Sequence, residues 1–122
     1  MGTGALEMPL RRLLATLARS PATRFVGRPP ERPHHWFPGK VPDADGCGMT
    51  DPAAWELIAE CLEDSRQAME SLTLNVPPGA NGYVMKVALP HLQDRIYIKF
   101  ELLVPCDGRK ICGRSFHFED PR

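Results

Sequence analysis

No run of about 18 apolar residues occurs in this chain of 122 residues, so no segment reads as a membrane-spanning helix. Net charge is missing too. Fifteen basic and 15 acidic side chains cancel, which excludes a strongly basic nucleic-acid binder on bulk charge but not a local basic face. Cysteine is sparse: Cys47, Cys61, Cys106 and Cys112 follow no secretory leader, so a disulfide-stapled secreted miniprotein is not expected. There is no phosphate-cradling glycine loop, no Gly-x-Ser-x-Gly elbow and no His-Glu-x-x-His pair. Those gaps argue against NTPase, serine hydrolase and zincin chemistry. The expectation is a cytoplasmic protein with no cofactor, no metal and no membrane partner.

The length suits one domain, and 43% hydrophobic residues suffice for a small core. The zero charge conceals a division. Residues 1–50 carry seven basic and four acidic side chains, net +3, with seven of the 13 prolines and six of the ten glycines. Residues 51–122 carry eight basic and eleven acidic ones, net −3. Two compositions therefore meet near Met49.

In the first, Leu10, Leu13, Leu14 and Leu17 recur at helical spacing and predict a short basic amphipathic helix over 5–18. It reads either as a membrane-surface or targeting helix or, preferably, as a marginal isolated one, since short helices are unstable alone in water. Residues 20–48 read as coil, because Pro29, Pro30, Pro33, Pro38 and Pro42 remove backbone donors. His34-His35 before Trp36-Phe37 lacks the further ligands a metal site needs and is read as incidental. Residues 1–48 are expected to be a low-order extension. One hypothesis makes Met49 the true start, with an upstream stretch added by a misplaced start codon.

Residues 49–122 are expected to be a small α+β domain. Thr50 or Asp51 can cap a helix and Pro52 fits its first turn. Trp55, Ile58, Ala59 and Leu62 then recur at helical period over about 52–66, opposite Glu56, Glu60 and Glu63. Four strands follow, near Leu72–Val76, Tyr83–Leu89, Arg95–Val104 and Ile111–Phe118, separated by Pro77-Pro78-Gly79, Pro90 and Asp107-Gly108 turn signals. Short connections force antiparallel neighbours. The predicted architecture is one main helix packed on a four-stranded antiparallel sheet, preceded by a largely disordered Pro/Arg-rich segment.

Such a sheet leaves one face wet. With Ile96, Ile98 and Phe100 turned to the helix, Tyr97, Lys99 and Glu101 turn outward. On the last strand Cys112, Phe116 and Phe118 are assigned inward, with Ser115 and His117 outward. Arg114 shares parity with the phenylalanines, so it is either at the rim or an exception to that register. Residues 51–71 are net −5 and residues 72–122 net +2, which makes the sheet the basic side. A phosphate-bearing ligand suits that side, and Tyr97 among cations can stack on an unpaired base. The residue types fit metal-independent RNA cleavage. His117 would serve as base or acid, Lys99 and Arg114 would stabilise charge on phosphorus, and Tyr97 would position the substrate. Lys86 and Arg95 are the candidate RNA-binding cations, although the parity of Lys86 is open. The plainer reading treats all these as solvated positions. The pair Cys106 and Cys112 flanks a turn without zinc-knuckle spacing, so incidental thiols are expected.

The segments Trp55-Glu56-Leu57-Ile58-Ala59, Pro77-Pro78-Gly79-Ala80-Asn81-Gly82-Tyr83-Val84-Met85, Ile96-Tyr97-Ile98-Lys99 and Ile111-Cys112-Gly113-Arg114-Ser115-Phe116-His117-Phe118 carry a resemblance. Over about residues 50–120 the chain resembles the MqsR-like toxins of bacterial type II toxin–antitoxin systems, within the wider RelE-like group. The resemblance implies a small α+β ribonuclease, metal-free endonucleolytic mRNA cleavage and neutralisation by a cognate antitoxin protein, with no direct DNA contact. The family's site has a tyrosine that Tyr97 matches. Its last-strand lysine is here His117, its glutamine falls at Met85 or Lys86, and its lysine near the helix end falls at Glu70. These departures bear on the cleavage chemistry, though histidine can replace lysine in acid–base work. The competing function is a noncatalytic interaction module that binds a partner through its sheet.

Overall fold

The computed structural model describes residues 3–104 and 108–119. The turn residues 105–107, with Cys106, lie outside the described residues. Two helices and six strands follow in chain order. They are α1 (Thr3–Ala18), β1 (Arg24–Val26), β2 (His35–Trp36), α2 (Asp51–Glu63), β3 (Glu70–Thr73), β4 (Asn81–Val87), β5 (Ile96–Leu103) and β6 (Lys110–Phe118), with a 3-10 turn at Pro38–Lys40.

Helix α2 starts as its sequence dictates. The Thr50 hydroxyl accepts from the Ala53 amide at 3.2 Å, and Pro52 occupies the first turn. Its buried face is Ala54, Trp55, Ile58, Ala59 and Leu62. It stops at Glu63, short of the expected end, because its last carbonyls are taken. Arg11 of α1 is buried and donates to the Leu62, Cys61 and Asp64 carbonyls, each at 2.9 Å. A cation satisfying the orphan carbonyls of a helix C-terminus is favourable on both hydrogen-bond and dipole grounds.

That contact also corrects the expectation of a low-order first segment. Helix α1 is not isolated; Leu14, Ala15, Leu17 and Ala18 are buried in the same core as Trp55 and Ile58. Packing of its leucine face supplies the stability that propensity alone does not. Arg19, just past the end of α1, pairs with Glu56 and Glu63 on the acidic face of α2. No helix among the described residues is long and apolar enough to cross a membrane.

The sheet order is β1-β6-β5-β4-β3, with β2 also paired to β6. The pairs β3–β4, β4–β5 and β5–β6 are antiparallel, as the short connections require. Strands β1 and β2 run parallel to β6, with Phe25 opposite Cys112 and Trp36 opposite Phe116. The architecture is thus α+β, but with a second helix and two short parallel strands beyond the expected one-helix, four-strand layout. The prolines of residues 20–48 do not prevent this. Pro29, Pro30, Pro33, Pro38 and Pro42 stand between or after the strands, none within them. Residues on both sides of Met49 fill one core, where Trp36 lies 5.0 Å from Trp55 and 5.5 Å from Phe116 between ring centroids.

The last strand does not keep one parity. Lys99 pairs with Ser115, but Phe100 pairs with Gly113, so Arg114 is the extra residue of a β-bulge. Below the bulge the faces of β6 exchange. Cys112 stands beside Glu101 on the face away from the helices, not inward as alternation suggests. Gly113 takes the inward place, and a Cβ there would lie 2.6 Å from the Trp36 ring.

Candidate functional site

The register sets four cross-strand rows on the face away from the helices. Lys86, Tyr97 and His117 form one row, since Lys86 pairs with Tyr97 and Tyr97 with His117. Val84, Lys99, Ser115 and His35 form the next. Gly82, Glu101 and Cys112 form the third, with Arg114 bulged beside them. Arg95 and Glu119 close the opposite end, where the Glu119 amide donates to the Arg95 carbonyl at 2.8 Å. Lys86 therefore belongs to this face, because its neighbours Tyr83, Met85 and Val87 all point into the core.

The third row is not wet. Loops at residues 27–34 and 74–79 cover it. Leu74 lies against Gly82, where a Cβ would meet it at 2.7 Å. Glu101 is 0% exposed and Arg114 only 5%. Arg114 donates to Glu101 at 2.8 Å, to the Pro33 carbonyl at 3.0 Å and to the Val76 carbonyl at 2.8 Å. Arg32 donates to the same carboxylate at 3.2 Å. Arg114, expected as a phosphate-facing cation, thus sits among protein acceptors and ties both loops to the sheet. Burial and Glu101 push the Cys112 thiol up to about 12, which keeps it protonated and inert.

The more open end lies in the first two rows, where Lys86 and His35 are exposed and Tyr97, Lys99 and His117 half-buried, although Val84 and Ser115 between them are buried. Tyr97 and His117 stack with ring centroids 5.5 Å apart and planes 21° from parallel. His117 Nδ1 is 2.8 Å from the Phe118 carbonyl. A carbonyl only accepts, so Nδ1 carries the proton and the neutral ring keeps its lone pair on Nε2. Lys86 and Arg95 do not stand free. Both pair with Glu119, at 3.3 and 2.8 Å. Burial raises the Glu119 carboxyl, but hydrogen bonds and charge from Lys86 and Arg95 together hold it below the ordinary carboxylate range. Lys99 makes no ion pair among the described residues. Burial and then the adjacent Arg114 charge hold its ammonium below the ordinary lysine range.

His35 joins this face as an unexpected member. Pairing of β2 with β6 places it opposite Ser115, and its ring meets that of His117 edge-on with centroids 6.3 Å apart. It is exposed, whereas Trp36 beside it is buried. The signal in the sequence is the step from His35 to Trp36, polar then aromatic, which fits a short strand with one buried face. His34 turns the other way, toward the Trp55 side, where it helps line an open groove of about 680 Å³ with Asp51 and Phe25. A second groove of about 710 Å³ lies between α1 and β3, beside Leu10, Met69 and Thr73. Neither groove reaches Tyr97 or His117. No group of three or more His, Cys, Asp and Glu side chains among the described residues is placed to hold a metal ion.

No family model matches the chain, and no curated protein or solved structure matches it.

Proposed function

We propose that the chain is a toxin-type, metal-independent endoribonuclease that cleaves mRNA and is neutralised by a cognate antitoxin protein. The observation that carries this reading is the Tyr97–His117 stack on the sheet face away from the helices, beside Lys99, which makes no ion pair among the described residues. His117 Nε2 has the free lone pair that abstraction of a ribose 2′-hydroxyl proton needs. Lys99 offers the compact positive charge that a five-coordinate phosphorus attracts. Tyr97 offers a ring face and a phenol to position the nucleotide. Arg114 supports from below, by fixing the loops and lowering the proton affinity of Lys99. Lys86 and Arg95 flank this face as backbone-binding cations shared with Glu119.

Expression of the chain alone is expected to arrest growth, and His117→Ala to relieve the arrest. Purified protein is expected to cut RNA in the presence of EDTA. If wild type and His117→Ala are equally harmless and neither cuts RNA, the ribonuclease reading fails. A noncatalytic module that binds a partner through its sheet then takes its place, favoured by β3, which ends the sheet order and leaves one backbone edge unpaired.

A further inference from the structure

We infer that His35 is the general acid of this site and that it works with His117 as a two-imidazole pair on a single ribose-linked phosphodiester. The inference rests on the ribonuclease reading above and extends it to a residue from the opposite end of the chain. In-line displacement at phosphorus places the attacking and departing oxygens on opposite sides. One imidazole cannot serve both at once, so a second proton-transfer group must approach from a separate direction. The His35 and His117 rings meet edge-on, 78° from parallel with centroids 6.3 Å apart, so two imidazoles in different orientations stand close enough to serve one phosphodiester. The two residues come from different strands, β2 and β6, so their separation is set by parallel pairing to one strand.

Roles follow from the surroundings. His117 Nδ1–H is engaged with the Phe118 carbonyl, which leaves Nε2 to accept. His35 is exposed, and no hydrogen bond involves its ring among the described residues. Both its ring nitrogens are therefore accessible to substrate, and as the general acid it carries the proton that a departing oxygen needs. The step balances without a co-reactant. His117 Nε2 takes the 2′-hydroxyl proton, the O2′–P bond forms, the P–O5′ bond breaks, and the His35 imidazolium gives its proton to O5′. The products are a 2′,3′-cyclic phosphate and a 5′-hydroxyl end. The charged and titratable groups around the pair are Tyr97 and Lys99 from β5, Lys86 from β4 and Glu119 after β6. The substrate class is RNA, since DNA lacks the attacking hydroxyl.

The test compares wild type with His35→Gln on two substrates. One is an oligoribonucleotide; the other is a uridine 3′-aryl phosphate, whose phenolate departs without a proton. His35→Gln, an exposed substitution, is expected to lower kcat on RNA by about 10²–10⁴-fold, with little change in KM. It is expected to retain near wild-type kcat on the aryl ester and to lose the alkaline limb of the pH profile. An equal loss on both substrates, or no loss on RNA, overturns the role of His35 while the ribonuclease reading stands. If wild type cuts neither substrate, that reading falls and takes the pair with it.

Discussion

Glu101 shows how one buried carboxylate organises this face. It accepts from Arg114 and Arg32 at 0% exposure, so its removal strands a guanidinium in the interior. Glu101→Ala is expected to cost about 3–5 kcal/mol of unfolding free energy by urea titration. Lys99 has the opposite balance. Its ammonium lies below the ordinary range because of burial and Arg114, so the charged form is disfavoured in the fold. Stability should rise with pH between that lowered folded value and the unfolded value of about 10.4. Lys99→Met is accordingly expected to raise Tm while abolishing RNA cleavage, a trade typical of functional charges. Glu119→Gln releases Lys86 and Arg95, and should tighten RNA binding and steepen its salt dependence. Among thiols, burial pushes Cys61 up to about 11 and Cys112 to about 12, while Cys47 is exposed. Peptide mapping after brief maleimide treatment at neutral pH should find Cys47 labelled and Cys61 and Cys112 spared.

Elements differ in how far their sequence discloses them. The helix Asp51–Glu63 and the strands β4, β5 and β6 are readable because each has a period, a cap or a turn signal. Strand β5 even shows which residues face outward through Lys99. The bulge is hidden because alternation assumes one parity per strand; its trace is Arg114 standing where a phenylalanine's parity demands an apolar residue. Strands β1 and β2 have three and two residues, too few for any period, and their partner lies far along the chain. For that reason Tyr97 and His117 are legible as residues of the candidate site and His35 is not. Arg11 as a cap for α2 is likewise invisible, since charge pattern does not reveal a partner 51 residues away. Gly113 links core to site at this scale. Gly113→Ala drives a methyl into the Trp36 ring and should destabilise by about 1–3 kcal/mol. Because Trp36 and His35 share β2, cleavage should fall further than the folded fraction, which near-ultraviolet circular dichroism of the Trp36–Trp55 pair would monitor.

At the level of the whole molecule, one core is shared by both compositions. Leu14, Leu17, Trp36 and Val41 are buried against residues from the second half, each contributing about 1.5–3 kcal/mol. Their sum rivals the entire stability of an ordinary domain, about 5–15 kcal/mol. A chain starting at Met49 is therefore expected to lack cooperative thermal unfolding and dispersed amide resonances. Such a fragment folding fully would remove α1, β1 and β2 from the essential architecture. The parallel docking of β1 and β2 onto β6 also has a temporal side. During synthesis the early strands wait for a late one, and the phenol, the ammonium and both imidazoles converge only once that strand has left the ribosome. A nascent chain that lacks β6 therefore cannot assemble the face that carries His35, Tyr97, Lys99 and His117.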